Sequence, residues 1–130
     1  DLIVSNPPFY SEDYKTNDDQ RDLARFQEAM PLEMLFESAD LLLSEKGIFA
    51  LLYPFKDEEK CLSIATESEL YPTKITRVKG TPTSETKRSL MAFSRDSNSK
   101  TIVNELVIEN ARHDYTAEYI ALTQDFYLKM

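Results

Sequence analysis

Asn6, Pro7, Pro8 and Phe9 follow the apolar run Leu2-Ile3-Val4 with only Ser5 between, and together they suit one task, holding a planar amine still. An exocyclic amine offers two N–H donors. The Asn6 side-chain oxygen and the Pro7 carbonyl can accept both, while the Phe9 ring stacks on the ring that carries the amine. The prolines stiffen the turn and remove N–H groups that would compete for those acceptors. Held this way, the amine's lone pair is free to attack, and a methyl sulfonium on the opposite side makes the reaction a methyl transfer. Asn-Pro and Pro-Pro are also common turn formers, so the same four residues equally make an ordinary stiff loop, and the neighbouring elements have to distinguish the two.

Those elements alternate. Leu2 to Val4 is apolar at consecutive positions, as in a parallel strand covered on both faces, and the prolines end it. Tyr10 to Gln27 is polar, with Ser11, Asn17, Asp18 and Asp19 offering turn and cap chemistry, and reads as a loop leading into helix. From Pro31 to Lys46 the residues Leu32, Leu35, Phe36, Ala39, Leu42 and Leu43 recur at helical spacing, with Pro31 in the first turn and Gly47 as the stop. Ile48 to Tyr53 predicts a second strand closed by Pro54, and Asp57 to Leu70 a helix with Cys61, Leu62 and Ala65 inward. Ile75 to Lys79 and Arg88 to Ser94 flank the turn-rich Gly80-Thr81-Pro82-Thr83-Ser84 and predict an antiparallel hairpin. Thr101 to Ile108 predicts a further strand and Thr116 to Leu128 an aromatic-rich closing helix; in this ending Tyr115, Tyr119, Phe126 and Tyr127, at near-helical spacing, are expected to pack into the core. The fold class is α/β, a sheet of parallel strands plus an antiparallel hairpin. In such sheets ligands sit outside the carboxyl ends of the strands, where Asn6 to Phe9 falls.

The chain has 130 residues, 42% hydrophobic and 11% aromatic, enough apolar side chain for one domain with a core. Fifteen basic against 23 acidic residues leave a net charge of −8, which opposes non-specific binding to phosphates, so a nucleic acid has to meet a local basic patch. Lys74, Arg77, Lys79, Lys87 and Arg88, around the expected hairpin, form the best one. Arg21 and Arg25, one helical turn apart, suit guiding a phosphate towards the turn, and Tyr10 and Tyr14 stand beside it. The single cysteine, Cys61, and single histidine, His113, exclude an internal disulfide and a His/Cys metal site within the chain. No metal is expected. The run from Gly47 to Tyr53 is far shorter than the roughly 20 apolar residues that span a bilayer, so the expectation is a soluble, cytoplasmic protein without a membrane partner.

With these residues in view, Asp1 to Phe9 resembles the fourth motif of the class I S-adenosylmethionine-dependent methyltransferases that modify amino groups, in which (Asp/Asn/Ser)-Pro-Pro-(Tyr/Phe/Trp) grips the target nitrogen. Within that group three stretches resemble the bacterial tRNA(Val) adenine-N6 methyltransferases: the opening turn, Gln20-Arg21-Asp22-Leu23-Ala24-Arg25-Phe26, and the ending from Tyr115 to Met130. The ending discriminates best, because the Asn-Pro-Pro turn is shared with glutamine-N5 and ribosomal guanine-N2 methyltransferases, which stay open as alternatives. The resemblance implies a Rossmann-like class I sheet, S-adenosyl-L-methionine as cofactor and tRNA as partner. It assigns Asn6, Pro7, Pro8 and Phe9 as catalytic, Asn6 also as a cofactor contact, and Tyr10, Arg21 and Arg25 to the substrate.

One departure matters. Family members carry an amino-terminal half with a glycine-rich loop for the cofactor, whereas the two glycines here, Gly47 and Gly80, lie far apart. Residues 1–130 are therefore expected to be a single partial domain, the carboxy-terminal, target-binding half of a methyltransferase, inactive alone. A third reading makes the chain a non-catalytic module that pairs through its exposed sheet edge with a second copy or with a separate amino-terminal half.

Overall fold

Seven strands and three α-helices form within residues 1–8 and 31–127, the part of the chain that the computed structural model describes. In chain order they are β1 (Leu2–Ser5), α1 (Leu32–Leu42), β2 (Ile48–Pro54), a 3₁₀ turn (Phe55–Asp57), α2 (Glu58–Glu67), β3 (Tyr71–Lys79), β4 (Thr86–Ser94), β5 (Ile102–Val107), β6 (Glu109–Ala111), β7 (Asp114–Tyr115) and α3 (Ala117–Thr123). The expected loop from Tyr10 to Gln27 lies outside the described residues.

Five strands make one sheet in the order β1-β2-β4-β3-β5. β1 runs parallel to β2, with Ile3 opposite Phe49, and β5 runs parallel to β3, with Ile75 opposite Val103. β4 opposes both its neighbours, pairing Ala92 with Ala50 on one side and Met91 with Ile75 on the other. The α/β class and the antiparallel hairpin are as expected, and the return strand of that hairpin is inserted between β2 and β3. Among the described residues, no helix is long and apolar enough to cross a membrane.

Alternation along the strands sends one set of side chains to each face. On one face α1 and α2 pack over Phe49, Leu51, Ile75, Met91 and Phe93 with Leu32, Phe36, Ala39, Cys61 and Ala65. Phe36 is the centre of that core. Its ring meets Phe49 and Phe93 edge-on at 5.4 Å each, a favoured geometry for aromatic quadrupoles. The other face is different: Leu2 is 64% exposed, Val4 69%, and Ile48 and Leu90 are exposed as well. The expectation that the first strand is covered on both faces is thus corrected. Of its consecutive apolar residues only Ile3 is partly buried against the core, and Leu2 and Val4 are exposed.

The helix boundaries shift for identifiable reasons. α1 ends at Leu42 rather than Lys46 because Leu43 turns extended, at ψ 130°, which folds its side chain into the core. Leu42 is left exposed. Arg95 closes the helix end: Nη1 donates to Asp40 Oδ1 at 2.6 Å and Nη2 donates to the Leu43 carbonyl at 2.9 Å, supplying the positive charge that a helix carboxyl end favours. Gly47 lets the chain pass close by beyond the helix, since a Cβ there would crowd the Asp1 carboxylate and lie 2.6 Å from Leu43 Cδ1.

Cys61 is fully buried, and burial first, with the nearby Asp57 charge next, pushes its thiol from 9.0 up to about 12. A thiol held neutral is no nucleophile. We expect iodoacetamide at pH 8 to leave Cys61 unlabelled in the folded protein and to label it on unfolding. Because the folded value is raised, stability should fall as pH climbs from 9 towards 12, where the unfolded thiol ionises and the buried one does not.

Candidate functional site

The parallel strands all end on one side of the sheet, at Ser5, Pro54, Lys79 and Val107, and β4 begins there at Thr86. Asn6 is the first residue beyond β1. It is exposed, Pro7 behind it is buried and Pro8 is exposed, so the turn is anchored by one proline and presents the amide outwards. A groove of about 480 Å³ crosses the uncovered face from Val4 and Asn6, over Leu52 and Leu90, to Leu106 and Leu122 of α3. The amide stands at one end of an apolar trough. Phe9, Tyr10, Tyr14, Arg21 and Arg25 lie outside the described residues.

Behind this end of the sheet sits a buried carboxylate that the sequence reading did not single out. Glu58, the first residue of α2, is 5% exposed. Its Oε1 accepts from Ser89 Oγ at 2.8 Å and from Arg77 Nε at 3.2 Å, and its Oε2 accepts from Arg77 Nη2 at 2.9 Å. The Arg77 guanidinium also lies 5.6 Å from the centre of the Phe55 ring, within cation–π range. One side chain thus ties α2, β3, β4 and the 3₁₀ turn together. Replacing Glu58 with Ala leaves a buried hydroxyl and a guanidinium unpaired. Because Arg77 is 40% exposed, the cost falls below that of a fully buried pair, at about 2–3 kcal/mol in urea unfolding of the full-length protein, and Glu58→Gln should cost less.

The basic patch expected around the hairpin is only partly assembled. Lys74 pairs in register with Ala92 and Ile102, towards the other end of β3, and lines the apolar groove instead. Arg77 is committed to Glu58. Lys79, Lys87 and Arg88 do converge, joined by Lys56 from the 3₁₀ turn, which no sequence pattern marked.

The ending departs from expectation too. α3 stops at Thr123 instead of reaching Leu128, and Leu128 itself is outside the described residues. Tyr115 and Tyr119 still meet, with ring centres 5.3 Å apart. Phe126 and Tyr127 are exposed rather than packed in the core, because helical spacing no longer applies past Thr123. His113 sits at the tip of the β6–β7 hairpin with φ 64°. Among the described residues no cluster of His, Cys, Asp or Glu could hold a metal ion.

Gly47 precedes β2 at its amino end, away from Asn6, and Gly80 follows β3 at the hairpin, where a Cβ would have room. Neither builds a glycine-rich strand-to-helix loop.

All 130 residues align with a protein of Flavobacterium johnsoniae named tRNA1(Val) (adenine(37)-N6)-methyltransferase at 68% identity, and with proteins of the same name in Flavobacterium psychrophilum at 66% and Christiangramia forsetii at 54%. The chain is a homologue of these proteins. It covers 55%, 55% and 54% of them respectively, so the chain spans about half the length of the curated relatives it matches. No family model matches it. In three dimensions it resembles the crystal structure of a predicted O-methyltransferase from Agrobacterium tumefaciens, with a TM-score of 0.69 at 14% identity, over 95% of this chain and 50% of that one. The likeness is one of fold, and it extends over half of that chain.

Proposed function

We propose that this chain is the target-holding half of an S-adenosylmethionine-dependent methyltransferase that modifies the exocyclic N6 of an adenine in tRNA. The observation that carries the reading is the exposed Asn6 amide, backed by the buried Pro7, at the carboxyl end of the edge strand of half a sheet. Homology over the whole chain to proteins named for this reaction supports the same substrate. On this reading residues 1–130 are one partial domain, and the protein works in the cytoplasm.

The chemistry asked of this chain is positioning. The Asn6 side-chain oxygen and the Pro7 carbonyl accept from the two N–H groups of the amine, and Phe9 stacks on the base. Those bonds fix the nitrogen's direction and disperse the positive charge that builds on it as it attacks. Tyr10, Arg21 and Arg25 are assigned to the RNA. S-adenosylmethionine supplies the methyl group when bound, in a pocket contributed mainly by residues other than those described. Asn6 would be this chain's contact with it.

Among the described residues, the exposed face and the edge position of β1 favour a complement. Leu2, Val4, Ile48 and Leu90 form an apolar strip that water meets unfavourably, and an edge strand offers unpaired backbone groups. A second portion of the same protein covering both would complete the sheet. The test is labelled methyl transfer by the full-length protein to tRNA, to ribosomal RNA and to a release factor. Label in tRNA alone is expected; label confined to ribosomal RNA or to the release factor would move the assignment to a guanine-N2 or a glutamine-N5 enzyme.

A further inference from the structure

Four of the 15 basic residues of this acidic chain, Lys56, Lys79, Lys87 and Arg88, line a single cleft of about 640 Å³ between the 3₁₀ turn after β2 and the β3–β4 hairpin. Among the described residues, Glu85 is the one carboxylate in the lining, and Lys79 Nζ also pairs with Glu105 at 2.9 Å. With Glu105 counted, four cations still face two carboxylates at this spot in a chain of net charge −8. An acidic surface elsewhere makes that local excess a preferred landing place for a polyanion. We infer that this cleft binds the phosphodiester backbone of the RNA substrate and thereby sets the target base over Asn6.

Position supports the inference as much as charge. Arg88 lies opposite Pro54 in the ladder, and Asn6 follows the register of Ser5 with Leu51. Two strands across and two residues along separate them, so the cleft opens roughly 12 Å from the amide on the same end of the sheet. That is the reach of a few nucleotides. The cleft is also held rigidly: its Phe55 wall lies under the Arg77 guanidinium, which Glu58 pins. A phosphate site on a fixed frame positions a strand, whereas lysines on loose loops would only attract one.

The inference rests on the proposed function, and its test separates the two. Filter binding of an unmodified tRNA transcript to the full-length protein is measured across salt, for wild type and for the Lys56→Gln/Lys87→Gln variant, alongside methyl transfer by the wild type. Removing two phosphate contacts should raise Kd on the order of ten-fold at moderate salt and reduce the slope of log Kd against log salt by about 1.5. The Lys56→Arg/Lys87→Arg variant, which keeps the charge, should retain both affinity and slope. If the wild type methylates tRNA but the Gln variant keeps its affinity and slope, the cleft does not bind the backbone and the proposed function stands. If the wild type neither binds nor methylates tRNA, both fall. Circular dichroism of each variant excludes a folding defect as the cause.

Discussion

Replacing Asn6 with alanine in the full-length protein should lower the rate of methyl transfer by on the order of 10²–10³-fold, the range seen when one positioned acceptor or donor is removed from a transition state. Asn6 is exposed and follows β1 without belonging to its ladder, so the fold and its unfolding midpoint should be unchanged. The tRNA contacts assigned here lie elsewhere, in the cleft and in residues 9–30, so KM for tRNA should move little while kcat falls. Asn6→Asp retains an acceptor oxygen and should lose much less than Asn6→Ala. Single-turnover kinetics with each variant measure this directly, and near-normal transfer by Asn6→Ala would remove Asn6 from the chemistry.

The second large effect concerns the 130-residue chain on its own. It should transfer no methyl group to tRNA and show no measurable affinity for S-adenosylmethionine by calorimetry, because its two glycines are placed where neither makes a cofactor loop. The exposed strip of Leu2, Val4, Ile48 and Leu90 should also drive association, so that size-exclusion chromatography gives a species larger than the monomer. Tight cofactor binding by this exact chain would contradict the half-domain reading.

Much of the fold was legible because its signals are local. Leu2 to Val4 ending in two prolines marks β1, and the spacing of Leu32, Phe36 and Ala39 marks the buried side of α1, all three being in the core. Cys61 and Ala65 were read inward and are buried. What escaped is non-local. The hairpin predicts that β3 and β4 pair, but nothing in either strand says that β4 slides in beside β2, a partner more than 30 residues back in the chain. The β6–β7 hairpin was missed because its tip uses His113 in the left-handed region in place of the glycine or asparagine that advertises such a turn.

The site divides the same way. Asn6 and Pro7 stand out in composition and order as an amide followed by prolines after a strand, and the structure places them just beyond the carboxyl end of β1. Glu58 was not: an acidic residue in a helix's first turn ordinarily reads as solvated, and only the fold brings Arg77 and Ser89, 19 and 31 residues away, onto its oxygens. Lys56 was hidden for the same reason, becoming part of a cationic cleft only when the 3₁₀ turn meets the hairpin. Lys74 erred in the opposite direction. Sequence proximity grouped it with the hairpin, while strand direction carried it away from the site.

The central claim is that this chain holds an adenine amine for methylation, and the product nucleoside tests it most directly. Unmodified tRNA treated with the full-length protein and labelled S-adenosylmethionine, then digested to nucleosides and separated by mass spectrometry, should carry its label as N6-methyladenosine; label recovered as N2-methylguanosine, or no label in tRNA at all, would contradict the account.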